Sequence, residues 1–103
     1  MQYHIHASLA PSKGEAPFLL DIQSSLLDRL SSRVVVPLYP AQRMPFPAIA
    51  QLSPEFEIEG RTYRMVTPNL AAMPSKWLGR SVLDCRAQSH TIVAALDTLI
   101  SGV

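Results

Sequence analysis

Arg33-Val34-Val35-Val36-Pro37-Leu38 is the strongest strand signal in the chain. Three β-branched residues in a row stiffen the side chains and favour extended backbone, and Pro37 closes the run because it has no N–H to give a neighbouring strand. The stretch reads as a central strand covered on both faces. Upstream, Phe18-Leu19-Leu20-Asp21-Ile22-Gln23 reads as a second strand, which returns through the Ser24 to Ser32 turn region and pairs antiparallel with the first. Those two strands alone predict a β-rich core.

Working outward, Gln2-Tyr3-His4-Ile5-His6-Ala7 alternates apolar and polar residues, the period of a half-buried strand. His4 and His6 then share one strand face and, with His90, are the candidate metal ligands; a solvated strand face accounts for both without a metal. Pro11 to Pro17 is a charged, turn-rich connection and is expected to be mobile. After the central strand, Pro37, Pro40, Pro45, Pro47 and Pro54 are interleaved with Tyr39, Met44, Phe46 and Ile49. Such a segment cannot ladder into a sheet, so it reads as a long surface loop, either covering the core or offering a partner-binding edge.

Phe56-Glu57-Ile58 and Thr62-Tyr63-Arg64-Met65-Val66 flank Glu59-Gly60-Arg61, a β-hairpin in which Gly60 supplies a positive φ. Leu70 to Pro74 is one more short apolar run, and Trp77 is a core or interface anchor. The last element is a helix with Ser89 as N-cap; Ile92, Leu96, Leu99, Ile100 and Val103 are spaced to share one face, with Asp97 off it.

With 103 residues the chain is expected to form a single domain over residues 1–103. Hydrophobic residues make up 48% and charged residues 17%, against a usual charged share of roughly 25%. A surface this poor in charge suggests that part of it is hidden, and a homodimer is expected. A net charge of +1 is too mild for an electrostatic nucleic-acid binder. The single Cys85 cannot close an internal disulfide, no signal segment opens the chain, and no apolar run approaches the roughly 20 residues that span a bilayer, so a cytoplasmic protein without a membrane role is expected. There is no glycine-rich phosphate loop, no paired cysteines, no His-Glu helix motif and no nucleophile elbow. No catalytic residue, cofactor or resident metal is nominated, and a binding protein is the default.

The order of these stretches resembles the CcdB toxins of bacterial type II toxin–antitoxin modules almost end to end. Met1-Gln2-Tyr3 is similar to that family's opening, Asp21-Ile22-Gln23-Ser24 and Arg33 to Leu38 to its second and third strand motifs, and Tyr63-Arg64-Met65-Val66-Thr67 with Ala71-Ala72-Met73-Pro74 to its late sheet segment. Ile100-Ser101-Gly102-Val103 sits where the family carries its signature. The resemblance implies a mainly β fold with a C-terminal α-helix, an SH3-like antiparallel barrel of the CcdB, MazF and Kid type, assembled as a homodimer. It implies binding to the DNA gyrase A subunit, a type II topoisomerase, so that the cleaved DNA complex is trapped. It also implies neutralisation by a CcdA-type antitoxin, with DNA reached only indirectly when the joint complex represses its operon.

Carried over residue by residue, the gyrase-binding candidates are Ser101, Gly102 and Val103 at the tip, joined by Ile100, Asp97, Ser24 and Leu26. The family's tryptophan before the final Gly and aliphatic residue is here Ser101. A buried aromatic anchor is typically worth about 2 kcal/mol or more, so a tip acting alone would bind some 30-fold more weakly without it. Two alternatives stand beside this reading. One is a messenger-RNA interferase on the same barrel, using Arg33, Arg43, Arg61 or Arg64 with a nearby acid or hydroxyl. The other is a non-toxic remnant that only binds antitoxin.

Overall fold

The computed structural model describes residues 1–10, 16–45 and 47–102. The central strand is β3, Ser32–Pro40, and it organises the sheet. On one side lies β2, Phe18–Asp21, antiparallel with Leu20 opposite Val36. On the other side β3 is shared by two strands, β5 (Arg61–Met65) beside its end and β6 (Ala71–Pro74) beside its start. With β1 (His4–Ser8), β4 (Glu55–Ile58) and β7 (Leu78–Asp84), the order is β4-β5-β3-β2-β1-β7, and β6 lies off that path against β3. The result is a curled antiparallel half-barrel with one C-terminal helix, α1, Ser89–Ser101. An exposed ion pair of 3.1 Å between Arg80 on β7 and Glu59 in the β4–β5 turn reaches from one sheet edge towards the other.

Pro37 does not end the strand. It sits inside β3 opposite Leu19. Its carbonyl accepts from Val66 N–H at 2.9 Å, so its missing N–H faces the gap between the end of β5 and the start of β6, where no ladder bond is lost. Pro40 is also within β3, opposite Tyr63, so the irregular proline segment begins only at Ala41. Its later part forms a short 3-10 turn, Ala50–Leu52, packed on α1, which is the core-covering role; Phe46 lies outside the described residues. The Pro11 to Pro17 connection falls largely outside them as well, although Ala16 is buried.

The hairpin is as expected, with Ile58 opposite Arg61 and a two-residue turn at Glu59 (φ 52°) and Gly60 (φ 81°). Two positive φ values match the twist of the strands. β7 has no counterpart in the sequence reading. Its Leu-Gly-Arg-Ser-Val-Leu-Asp run lacks alternation because its register against β1 shifts twice. Trp77 is half-buried and stands outside the core, in a 3-10 turn whose carbonyl accepts from Leu9 N–H.

The core joins Ile5, Leu20, Val36, Leu38, Phe56, Ile58, Tyr63 and Met65 to Cys85, Ile92 and Ala95. Ser89 is the first helical residue rather than the N-cap. The chain reaches it already coiled, through the Arg86–Gln88 3-10 turn, so no extended cap residue precedes it. Leu96 and Leu99 are half-buried beside Ile92, but Ile100 is 80% exposed. Eight residues after Ile92 it lies about 80° further round the helix, past the narrow strip that meets the sheet. No helix of the described residues is long and apolar enough to cross a membrane.

Candidate functional site

Two surfaces carry the nominated residues. The first is the end of α1. Gly102 adopts a left-handed conformation (φ 75°) and its N–H closes on the Thr98 carbonyl at 3.0 Å, a helix stop that a side chain would strain. The Ser101 hydroxyl, although exposed, turns back to donate to the Asp97 carbonyl at 2.7 Å. All four of Asp97, Ile100, Ser101 and Gly102 are exposed, and Ile100 is the large apolar side chain among them. Val103 lies outside the described residues.

The second surface is the 3-10 turn Ser25–Leu27, which buries none of its own side chains. Ser24 caps it, its hydroxyl accepting from Leu26 N–H at 3.2 Å. Leu26 is 94% exposed, with Leu27 and Leu30 also outward. Beneath the turn lies a buried polar network. Arg33 donates through Nε and Nη2 to Asp21 Oδ2 at 3.0 and 2.7 Å, and its Nη1 meets Asp28 at 2.7 Å. The chain's ammonium group on Met1 reaches the same Asp21 oxygen at 3.0 Å. Burial opposes the charge on Arg33, but the hydrogen bonds and charges of Asp21 and then Asp28 prevail and raise its pKa. Gln23 donates to the carbonyls of Leu27 and Ser32 and accepts from Val34 N–H.

Ser24 and Leu26 thus stand together, as do Asp97, Ile100, Ser101 and Gly102, beside opposite ends of α1. Ser25 shares a cavity of about 290 Å³ with Ser89 in the helix's first turn, whereas Ser101 is roughly 18 Å further along the helix axis. Leu27 and Leu30 were not nominated from sequence; three outward leucines in five residues were the available signal. Of the arginines considered for RNA cleavage, Arg33 is buried in its ion pair and Arg64 binds Glu55 at 2.5 Å and the Ser53 carbonyl at 2.9 Å. Arg43 and Arg61 are exposed. His4 and His6 engage Ser81 Oγ and the Gly79 carbonyl through Nδ1, both at 3.0 Å, while His90 lies on α1 beside Ala50 and Gln51. Among the described residues no three His, Cys, Asp or Glu side chains gather as metal ligands.

The outer face of the sheet is a further feature. By strand alternation Leu19, Val35, Pro37 and Tyr39 point away from the core formed by Leu20, Val36 and Leu38. With Asn69, Ala71 and Met73 they line an open, mainly apolar cavity of about 290 Å³ at whose floor Leu19 and Val35 are buried. Met73 also borders a neighbouring one of about 510 Å³, lined by Ala72, Pro74 and Lys76.

A family model described as CcdB protein matches residues 2–102. The chain belongs to the CcdB family. That membership places it among the toxins of toxin–antitoxin modules. Among solved structures, the CcdB-type chain is similar to the Mycobacterium tuberculosis toxin MazF-mt6, with a TM-score of 0.72 and 15% identity over 93% of this chain and 94% of that one. It is equally similar to an endoribonuclease in complex with its cognate antitoxin from a mycobacterial species, with a TM-score of 0.72 and 14% identity over 97% and 93% of the two chains. At such identity these two likenesses establish the barrel fold, as the sequence reading expected.

Proposed function

We propose that this CcdB-family toxin is a homodimeric, non-enzymatic inhibitor that binds the DNA gyrase A subunit, traps the gyrase–DNA cleavage complex and is neutralised by a CcdA-type antitoxin. The observation that carries the reading is the family match across residues 2–102. The geometry supports it in two ways. Contact groups split between the helix tip and the leucine turn suit a broad protein surface rather than a small ligand. Ile100, four-fifths exposed on the last turn, supplies the apolar anchor that Ser101 does not.

The dimer is proposed to form through the outer sheet face, where the partly exposed Tyr39 and Met73 and the exposed Ala71 border a cavity beside β6, a strand paired among the described residues with β3 alone. A two-fold related copy buries such a face against itself. An antitoxin partner is proposed with the family, and the mycobacterial neighbour bound to its antitoxin is in keeping with it.

The test is calorimetry of the purified protein with the dimerisation fragment of gyrase A. Saturable binding is expected, weakened at least tenfold by Ile100→Asp and strengthened by Ser101→Trp, where one decade of affinity is about 1.4 kcal/mol. Absence of binding by both wild type and Ser101→Trp would remove gyrase as the target. The second reading, ribonuclease action, rests on the fold shared with the endoribonuclease. Cleavage of RNA by the same preparation, lost in Arg43→Ala or Arg61→Ala, would establish it.

A further inference from the structure

The turn that displays Leu26 should be loose by its own composition: it buries none of its side chains, and its leucines face outward. The groups that hold it come from below. Arg33, only 4% exposed, and Asp21, fully buried, form an ion pair inside the fold. A buried ion pair is a poor source of stability, because desolvation consumes most of the attraction and an apolar pair of similar volume often does as well.

Its hydrogen bonds show what it does instead. Arg33 Nη1 donates to the Leu27 carbonyl at 3.4 Å and meets Asp28, and Nη2 also reaches the Gln23 carbonyl at 3.4 Å. Gln23 adds a second donor to the Leu27 carbonyl at 3.2 Å and ties the far end of the loop at Ser32. Asp21 Oδ1 accepts from the Gln23 backbone N–H at 3.0 Å, so the carboxylate holds the Arg33 side chain and the Gln23 backbone together. Two donors from the interior therefore converge on one carbonyl at the base of the exposed leucines.

We infer that Asp21, Gln23 and Arg33 are positioning residues, a clamp that holds Leu26, Leu27 and Leu30 in one conformation so that the turn meets its protein target preorganised. The inference rests on the gyrase reading for the identity of that target. Preorganisation acts on affinity by removing the ordering cost of the loop at the moment of binding.

Amide exchange followed by NMR, together with calorimetry against the gyrase A fragment, tests it. Leu27 and Leu30 are the reporters, since their N–H groups bond within the turn to the carbonyls of Ser24 and Leu27. In Asp21→Leu/Arg33→Met the apolar pair keeps the fold, so Val36 and Leu38 stay protected while Leu27 and Leu30 exchange at least tenfold faster and affinity falls by a similar factor. Arg33→Lys is the second variant: it retains the charge beside Asp21, but a single ammonium cannot span Asp28 and two carbonyls, and the same pattern is expected. If the apolar pair fails to fold, Arg33→Lys decides. Unchanged exchange at Leu27 and Leu30, or faster exchange there only in step with Val36 and Leu38, would overturn the clamp, as would a loosened turn with unaltered affinity. Absence of wild-type binding would overturn the gyrase reading alone, and exchange in Arg33→Lys then judges the clamp by the same criterion.

Discussion

Asp84 and Arg86 show how a two-residue spacing sets a local charge. Arg86 donates to both oxygens of Asp84 through Nε and Nη2, at 2.7 to 3.0 Å, and through its backbone N–H at 3.0 Å. Its side-chain hydrogen bonds, then its backbone N–H, lower the Asp84 pKa from 3.8 to about 2. A carboxyl with a depressed folded-state pKa stabilises the fold above its ordinary value and loses that contribution as pH falls from about 4 towards 2. In Arg86→Ala the carboxyl should titrate higher, part of the way back to its ordinary value because the backbone N–H still donates to it, which NMR titration of the Asp84 carboxyl carbon would measure. Next in the chain, burial, aided by the Asp84 charge, pushes the Cys85 thiol up to about 11. The folded protein should resist thiol reagents at pH 8 and react only when unfolded; prompt labelling of the native state would show that Cys85 is reached by solvent. Neither property was visible in the sequence, because β7 was not recognised and Cys85 is buried by core residues distant along the chain.

Among the elements, those with strong local patterns were legible and those defined by their partner were not. β2, β3 and the β4–β5 hairpin follow from β-branched content, alternation and a glycine turn. β7 follows from its neighbour. Gly79 permits its close approach to β1: a Cβ there would lie 2.8 Å from the Ala7 carbonyl oxygen and 3.2 Å from Leu9 Cγ. Gly79→Ala should therefore cost about 1–3 kcal/mol, read as a lower urea midpoint, since a backbone atom cannot move aside as a side-chain tip can. The helix face was overread for a related reason: spacing predicts a stripe, but its width depends on what packs against it, and here Ile92 and Ala95 are buried while Ile100 is left outside. At the candidate site, Ser24, Leu26, Asp97 and Ile100 were nominated through family resemblance, whereas the Asp21–Gln23–Arg33 network beneath the turn needed three-dimensional contacts to appear.

For the whole molecule, the proposed dimer is tested on the outer face of the sheet. Sedimentation velocity at micromolar concentration should show a dimer, and Ala71→Arg, at an exposed position bordering the cavity, should give a folded monomer with an unchanged far-ultraviolet spectrum. A wild-type monomer would remove dimerisation from the reading. The amino-acid sequence alone determined the β-rich class, the central strand, the hairpin, the terminal helix and the CcdB family, because these rest on local propensity, periodicity and motif order along the chain. Only the tertiary structure decided that Pro37 is harmless inside β3, that Ile100 is left exposed while the Ser101 hydroxyl bonds back to the helix, and that Arg33 is buried in an ion pair with Asp21. Each of those depends on which distant atom stands opposite, and that pairing is created by the sheet's curl and not by neighbours in sequence.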